Sequence, residues 1–337
     1  MTEAARGSGT AGRLIRTSGV VGGWSIVTGL AAVVVARLVA FDETQVLVWL
    51  NAFTVWLFLP VYAVAPLAAS MRRPVLTVAA LCLVVIHLSW VVPPMFGAEA
   101  VPAAAHGAPR VRVLTANLSF DNPTPDLLAR ELLEHDADVL VLQEVTPQWV
   151  EVLERTGVLE RYSHGVVVPR EDAGGQAIYS RLRLEEERAT DVGVWPQLQA
   201  TIVMGGRRVT LVDVHPVQPL TGYRHYRAQV PELHRMLTSA AVAGPVIAAG
   251  DFNATVHNRF VADLLDASFR CAHVARGRGW ATTWPNGEKL VPPIALDHVL
   301  VSSDIAVLDV REGDGAGSDH RPVIADLALL PNRAEDR

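Results

Sequence analysis

Cysteine is nearly missing from this chain: Cys82 and Cys271 are the only two in 337 residues. That excludes a disulfide framework, and no Cys/His run has the spacing of a zinc finger. Lysine is scarcer still, with Lys289 alone, so arginine carries nearly all the positive charge. Also absent are a Gly-x-Ser-x-Gly elbow, a His-Glu-x-x-His helix, a Walker loop and a Gly-x-Gly-x-x-Gly turn after a strand. Arg276-Gly277-Arg278-Gly279 reads as a loop rather than a phosphate cradle.

What the chain has in excess is apolar residues, 50% of the total, with a mean hydropathy of +0.26. The excess is concentrated in three runs, Val20–Phe41, Val46–Ala69 and Val75–Phe96. Each reaches the roughly 20 residues that cross a bilayer core, and they are too long and too many for one signal peptide. Three membrane spans are therefore expected over residues 1–96. Arg6, Arg13 and Arg16 precede the first run, and Arg72 and Arg73 separate the second from the third. The link between the first two runs carries Asp42 and Glu43 and no basic residue. The positive-inside rule then puts the N-terminus in the cytoplasm and everything after the third span outside. Arg37 dissents, and is expected to snorkel to the interface.

The first 100 residues hold six Arg and four acidic residues, which leaves 23 basic and 31 acidic residues, a net of −8, for the remainder. A net-acidic domain gains little from counterion release, which argues against long nucleic acids as partners. Residues 97–109 are rich in Pro, Ala and Gly and read as a linker; the domain proper is expected over 110–330, with a tail over 331–337.

Within the domain, strand-like runs fall at Val111–Ala116, Val139–Leu142, Val166–Val168, Ala177–Ser180, Ala200–Val203, Val209–Val214, Val246–Ala249, His298–Val301, Ile305–Val310 and Val323–Ala328. Helical patterns fall at Pro125–His135, Pro147–Leu153, Tyr223–Ala240 and Arg259–Ala267. Strands joined directly, mixed with strands joined through helices, predict an α/β (α+β) domain with a mixed sheet or two packed sheets flanked by helices.

Polar residues recur at the ends of the apolar strands: Asn117, Glu144, Asp213 with His215, Asp251 with Asn253, Asp297 with His298, and Asp319 with His320. An acidic residue after a strand is ordinarily a cap or turn former. Recurrence at most strand exits of one domain changes that reading, because strand ends on one edge converge. Asn117, Glu144 and Asp319 supply the oxygen ligands Mg²⁺ prefers, with Mn²⁺ as the alternative ion. Asp251 suits acceptance of a proton from water, and Asn253 suits its orientation. His320 braced by Asp297 suits charge stabilisation or proton transfer, and His215 suits the leaving oxygen.

The strings Leu142-Gln143-Glu144, Ala177-Ile178-Tyr179-Ser180-Arg181, Asp213-Val214-His215, Gly250-Asp251-Phe252-Asn253, Leu296-Asp297-His298-Val299 and Ser318-Asp319-His320-Arg321-Pro322-Val323, together with Asn117, resemble the endonuclease/exonuclease/phosphatase superfamily. The resemblance implies the DNase I-like fold, a four-layer α/β/β/α sandwich. It implies Glu144 and Asn117 near Mg²⁺, with Asp251 and Asn253 at the attacking water and phosphoryl group. It also implies an active-site His at His215 and an Asp–His pair in Asp297 and His320. Ser119 stands where some members carry a second acid, which favours a single ion. Three spans joined to such a domain also resemble the VanJ-type actinobacterial membrane proteins associated with teicoplanin resistance. That likeness implies a lipid-linked phosphate at the outer leaflet, undecaprenyl diphosphate first among them, in cell-wall lipid recycling. The competing expectations are a surface nuclease or phospholipid phosphodiesterase, and a non-catalytic module that senses cell-wall intermediates. For the nuclease, Tyr223-Arg224-His225-Tyr226-Arg227 is the one candidate basic and aromatic stretch.

Overall fold

The structure, a computed structural model, describes residues 4–288 and 290–331, with side chains from Thr17 onward. Lys289, residues 332–337 of the tail and the side chains of Arg6, Arg13 and Arg16 lie outside the described residues. The chain divides into two compact units, Met1–Pro93 and Pro94–Arg337.

The first unit is helical: α1 (Ala4–Ala40), α2 (Gln45–Ala52), α3 (Thr54–Leu57), α4 (Leu59–Ser70) and α5 (Pro74–Phe96). Thr17–Ala40 and Pro74–Phe96 are long and apolar enough to cross a membrane, with mean hydropathies of 1.9 and 2.5. The middle run, expected as one continuous span, is broken: Gln45–Ala52 and Thr54–Ser70 meet at 74°. At the break the Thr54 hydroxyl donates to the Asn51 carbonyl at 2.6 Å, competing with the backbone ladder. Pro60 sits in the first turn of α4, where its missing N–H costs no ladder bond, whereas Pro66 inside α4 removes one. Arg37, near the end of α1, has protein partners. It donates to Thr54 Oγ1 at 3.0 Å and lies 4.5 Å from the Trp90 ring centre, contacts that compensate its charge.

The second unit is built from two six-stranded sheets. In chain order its elements begin β1 (Arg110–Asn117), α6 (Pro125–Glu134), β2 (Val139–Gln143), α7 (Pro147–Arg155), β3 (His164–Val168), β4 (Gln176–Ser180), β5 (Glu185–Val192) and β6 (Trp195–Met204). They continue with β7 (Arg207–Asp213), α8 (Pro219–Ala243), β8 (Val246–Asp251), α9 (Arg259–Asp266), β9 (Arg270–Cys271), α10 (Ala272–Ala275), β10 (Asp297–Val301), β11 (Ile305–Glu312) and β12 (Val323–Leu329). The strand orders are β11-β12-β1-β2-β4-β3 and β5-β6-β7-β8-β10-β9.

Alternation within the strands builds the layers. Val111, Val113, Val139 and Val141 from one sheet pack against Leu198, Leu211, Ile247 and Val299 from the other. The opposite face of the first sheet, including Leu114 and Leu140, is covered by Leu128 and Leu132 of α6 and Trp149 and Leu153 of α7. Val212, Val246 and Leu300 of the second sheet are covered by Leu233 and Leu237 of α8 and Phe260 and Leu264 of α9. This is a mixed α/β, two-sheet, DNase I-like fold with helices on both outer faces. Strand β5, missed in the sequence, is a charged edge (Glu185-Glu186-Glu187-Arg188) with no apolar alternation. The 97–109 stretch is not extended throughout: Ala105 is fully buried against Ala306 and Ala328.

Each sheet holds one parallel pair, β1 with β2 and β7 with β8; every other pairing is antiparallel. A parallel pair joined through a crossover helix brings two C-terminal strand ends to one edge. The antiparallel neighbours β10 and β12 begin where those ends finish, Asp297 opposite Asp251 and Val323 opposite Thr115.

Candidate active site

That edge collects the polar residues. Asn117 ends β1, Glu144 follows β2, Asp213 ends β7 with His215 just beyond, and Asp251 ends β8. Asp297 and the Asp319–His320 pair were expected at strand exits; they stand at strand entries instead. They reach the same place because β10 and β12 run opposite to β8 and β1.

The backbone is shaped for this convergence. Gly250 has φ 148°, and a Cβ there would collide with the Val214 carbonyl, so only glycine lets β8 approach β7 before Asp251. Glu144 and Asn253 hold left-handed φ values of 60° and 49°. Such values are sparsely populated by residues other than glycine and persist where surrounding contacts fix them. For Glu144 those contacts are the Phe120 N–H, donating to Oε2 at 2.9 Å, and the Asn117 amide, donating to Oε1 at 3.0 Å. The same Asn117 Nδ2 donates to Asp251 Oδ2 at 3.2 Å, which ties the two sheets together.

Asp251 is the centre of the constellation. Its Oδ1 accepts the Asn253 N–H at 2.8 Å, and its Oδ2 lies 3.7 Å from His320 Nε2 and 3.9 Å from His215 Nε2. His320 Nδ1 is bonded to Asp297 Oδ2 at 2.8 Å. Ser318 secures this loop: its hydroxyl donates to the Asn117 carbonyl at 2.8 Å and accepts the His320 N–H at 3.0 Å. Glu131 of α6 grips the loop from the other side, accepting the N–H groups of Asp314, Gly315 and Ala316.

Burial sets the electrostatics. It pushes the Asp251 carboxyl up from its usual range, and the His320 charge opposes that only partly. For His320 burial acts against the charge, but Asp297 and Asp251 outweigh it and hold the imidazole charged. His215 is buried without a bonded carboxylate, and burial together with the His320 charge draws it down to about 3, so its ring is neutral. Burial also raises Glu144, against the pull of its two hydrogen bonds.

Asp319 is placed differently from its expected companions. Its side chain is exposed and accepts the Trp284 indole N–H at 3.2 Å, though its charge still bears on Glu144. Asn253 turns its amide away, donating to the Pro216 carbonyl at 3.1 Å. Asp213 is not at the surface of the site; it is fully buried and accepts from Gln143 at 2.8 Å. The 223–227 stretch lies on α8, with Tyr226 buried and Arg224, His225 and Arg227 exposed.

Other contributors went unrecognised in the sequence. Gln197 clamps the His215 backbone, accepting its N–H at 2.8 Å and donating to its carbonyl at 3.0 Å. Trp195 lies against the His215 ring at 4.9 Å, and the Thr283 hydroxyl accepts the Asp297 N–H at 3.1 Å. Gln197 has no distinguishing signal in the sequence, because Gln199 and Thr201 follow it at the same period along β6.

The donors fit a hard divalent cation. Glu144 and Asp319 offer carboxylate oxygens, and Asn117 Oδ1 retains a lone pair beyond its bond to the Ser119 N–H. Asp251, Asp297 and His320 also present ligand atoms within 4.8 Å of one another, and Asp297 Oδ1 is buried without a hydrogen-bond partner.

A model of the Endonuclease/Exonuclease/phosphatase family matches residues 114–320. No curated protein matches the chain in sequence. Among solved structures, truncated TDP2 from Caenorhabditis elegans superposes with a TM-score of 0.56 at 17% identity, covering 65% of this chain and 98% of the other. An endonuclease/exonuclease/phosphatase from Bacteroides vulgatus gives 0.51 at 19% identity, covering 65% and 99%. TDP2 from D. rerio, complexed with single strand DNA product, gives 0.51 at 18% identity, covering 65% and 99%. At these identities the likeness is one of fold.

Proposed function

The chain belongs to the endonuclease/exonuclease/phosphatase family, and on that premise we propose that it is a membrane-anchored, extracytoplasmic, Mg²⁺-dependent hydrolase of a lipid-linked phosphate or pyrophosphate. Members of this family are typically metal-dependent phosphoester hydrolases. The observation that carries the reading is the buried Asn117–Asp251–His320–Asp297 chain of contacts beside Glu144.

Glu144, Asn117 and Asp319 would hold the ion, which when bound neutralises phosphoryl charge and orients the ester. Asp251, raised by burial and oriented by Asn253 N–H and Asn117, takes a proton from water as the new O–P bond forms. His320, kept charged by Asp297, faces the negative charge that develops on the phosphoryl oxygens. The bond from phosphorus to the leaving oxygen breaks opposite the water. Neutral His215 serves there as a hydrogen-bond donor and not as a source of net charge.

The lipid part of the reading rests on the anchor. Two helices of spanning length precede the domain, and counting the bent pair Gln45–Ala52 and Thr54–Ser70 as a third crossing puts the acidic Asp42–Glu43 turn outside, the basic Arg72–Arg73 turn inside and the domain outside. Phe120, whose N–H holds Glu144, leaves a side chain 48% exposed beside the site, where it suits an isoprenoid or acyl chain. Undecaprenyl diphosphate is the substrate we favour, with a role in cell-wall lipid recycling and glycopeptide resistance. The test is phosphate release from undecaprenyl diphosphate by the full-length protein in detergent with Mg²⁺. No release, combined with cleavage of plasmid DNA, would replace this reading with a surface nuclease.

A further inference from the structure

A second cluster of metal-ligating side chains lies away from the active-site edge, in surroundings of opposite character. Cys271 ends β9, His273 follows it in α10, and His298 lies on β10 two residues before Leu300, the partner of Cys271 in the ladder. All three are buried, and each offers a ligand atom within 4.8 Å of the others. Cys271 Sγ stands 3.8 Å from His298 Nδ1. Tetrahedral zinc with its usual bond lengths separates a sulfur and a nitrogen ligand by about 3.6 Å, so closure needs a shift of only a few tenths of an ångström.

The outer nitrogens are already committed. His298 Nε2 donates to the Ala254 carbonyl at 2.9 Å, and His273 Nε2 is bonded to Glu312 Oε1 at 2.9 Å. Each ring thereby has its Nδ1 left as the inward lone pair, and His273 Nδ1 is buried with no hydrogen-bond partner. A carbonyl or carboxylate behind each imidazole is the arrangement that orients histidine ligands and fixes their tautomer. Two neutral imidazoles and a thiolate leave a divalent ion with one net positive charge. Glu312, linked through His273 and shared with Arg278 at 3.1 Å, offsets part of it inside the protein.

We propose that Cys271, His273 and His298 form a binding site for a soft or borderline divalent metal, zinc foremost, separate from the catalytic centre. The ion would clip β9, α10 and β10 together. It would also support the contact of residue 99 with the domain, since the Glu99 N–H donates to the Ala275 carbonyl at 2.9 Å. A thiolate ligand distinguishes this site from the oxygen-rich one, which contains no sulfur.

Co²⁺ is the probe. Full-length protein in detergent, stripped by a chelator, is titrated with Co²⁺ and followed by absorption. The expected result is a saturable thiolate-to-cobalt charge-transfer band that Zn²⁺ displaces and excess Mg²⁺ does not. C271S should abolish the band, and D251N should retain it in full. E312Q, which keeps all three ligands, should weaken Co²⁺ binding by about 10–100-fold. No band in the wild-type protein, or a band that persists in C271S, overturns the proposal. Should C271S fail to fold, an unchanged Co²⁺ affinity in folded E312Q overturns it equally.

Discussion

Asp297 and His298 are consecutive residues, yet they belong to sites of different chemistry. Asp297 turns toward the edge shared by both sheets and braces His320; His298 turns to the helix-covered face, where it meets Cys271 and the ring of Phe252. The period of two along β10 assigns one side chain to each face. The first site is lined by oxygen donors beside an exposed Asp319, and it suits chemistry with solvent access. The second is closed and holds sulfur and nitrogen, and it suits structural tethering. One strand supports a reaction on one side and a clip on the other.

The largest separation between the two should come from D251N, which removes the proton acceptor without changing its size. Phosphohydrolase turnover is expected to fall by about 10³-fold, with the melting temperature and Co²⁺ absorption unchanged; a loss under tenfold would remove Asp251 from its proposed role. D297N comes next. It weakens the brace on His320 and should cost about 10²-fold in kcat with little change in KM, read from steady-state kinetics.

Glu131 tests whether the catalytic loop has its own stability. Burial raises its pKa, but His135 and the three loop N–H groups outweigh that and bring it from 4.5 down to about 2. A carboxyl lowered on folding stabilises the protein above its unfolded value and loses that contribution as pH falls through the folded value. Wild-type stability should therefore decline by about 2–3 kcal/mol between about pH 4.5 and pH 2 from this group. E131Q should lack that component in denaturant melts, and a parallel decline in both proteins would refute the assignment. The smallest effect belongs to F120A, expected to raise KM for a long-chain lipid phosphate by about tenfold, from lost apolar contact, while leaving a water-soluble phosphoester unaffected.

Most strands of the domain are legible in sequence because they are buried on both faces and read as apolar runs, Val139–Gln143 and Val246–Asp251 among them. Asn117, Glu144, Asp251, Asp297 and His320 stand out for the same reason, as polar residues where such runs stop or start. What sequence cannot carry is direction: whether Asp297 leaves a strand or enters one depends on the sense of β10 against β8. Side-chain aim is equally hidden, so Asp319 turning to Trp284 and Asn253 turning to Pro216 emerge only from the tertiary contacts. The Cys271-x-His273 pair escapes recognition because its third member lies on another strand, outside any regular metal-binding spacing.

The alternation along β10 also governs which length changes the chain can absorb. Between α10 and β10, Arg278 reaches Glu312, the Thr283 hydroxyl holds the Asp297 N–H, and Trp284 and Asn286 hold the Asp319 loop, so an added residue is absorbed only at the exposed Gly287–Glu288 turn. One residue inserted within β10 slips its register and sends every side chain to the opposite face. Asp297 would then turn to the helix-covered face and His298 toward the shared edge, so that His320 loses its carboxylate and Cys271 its imidazole. A one-residue insertion should therefore be silent at Gly287–Glu288, disable the active site around Thr283–Asn286, and disable both sites within Asp297–Val301.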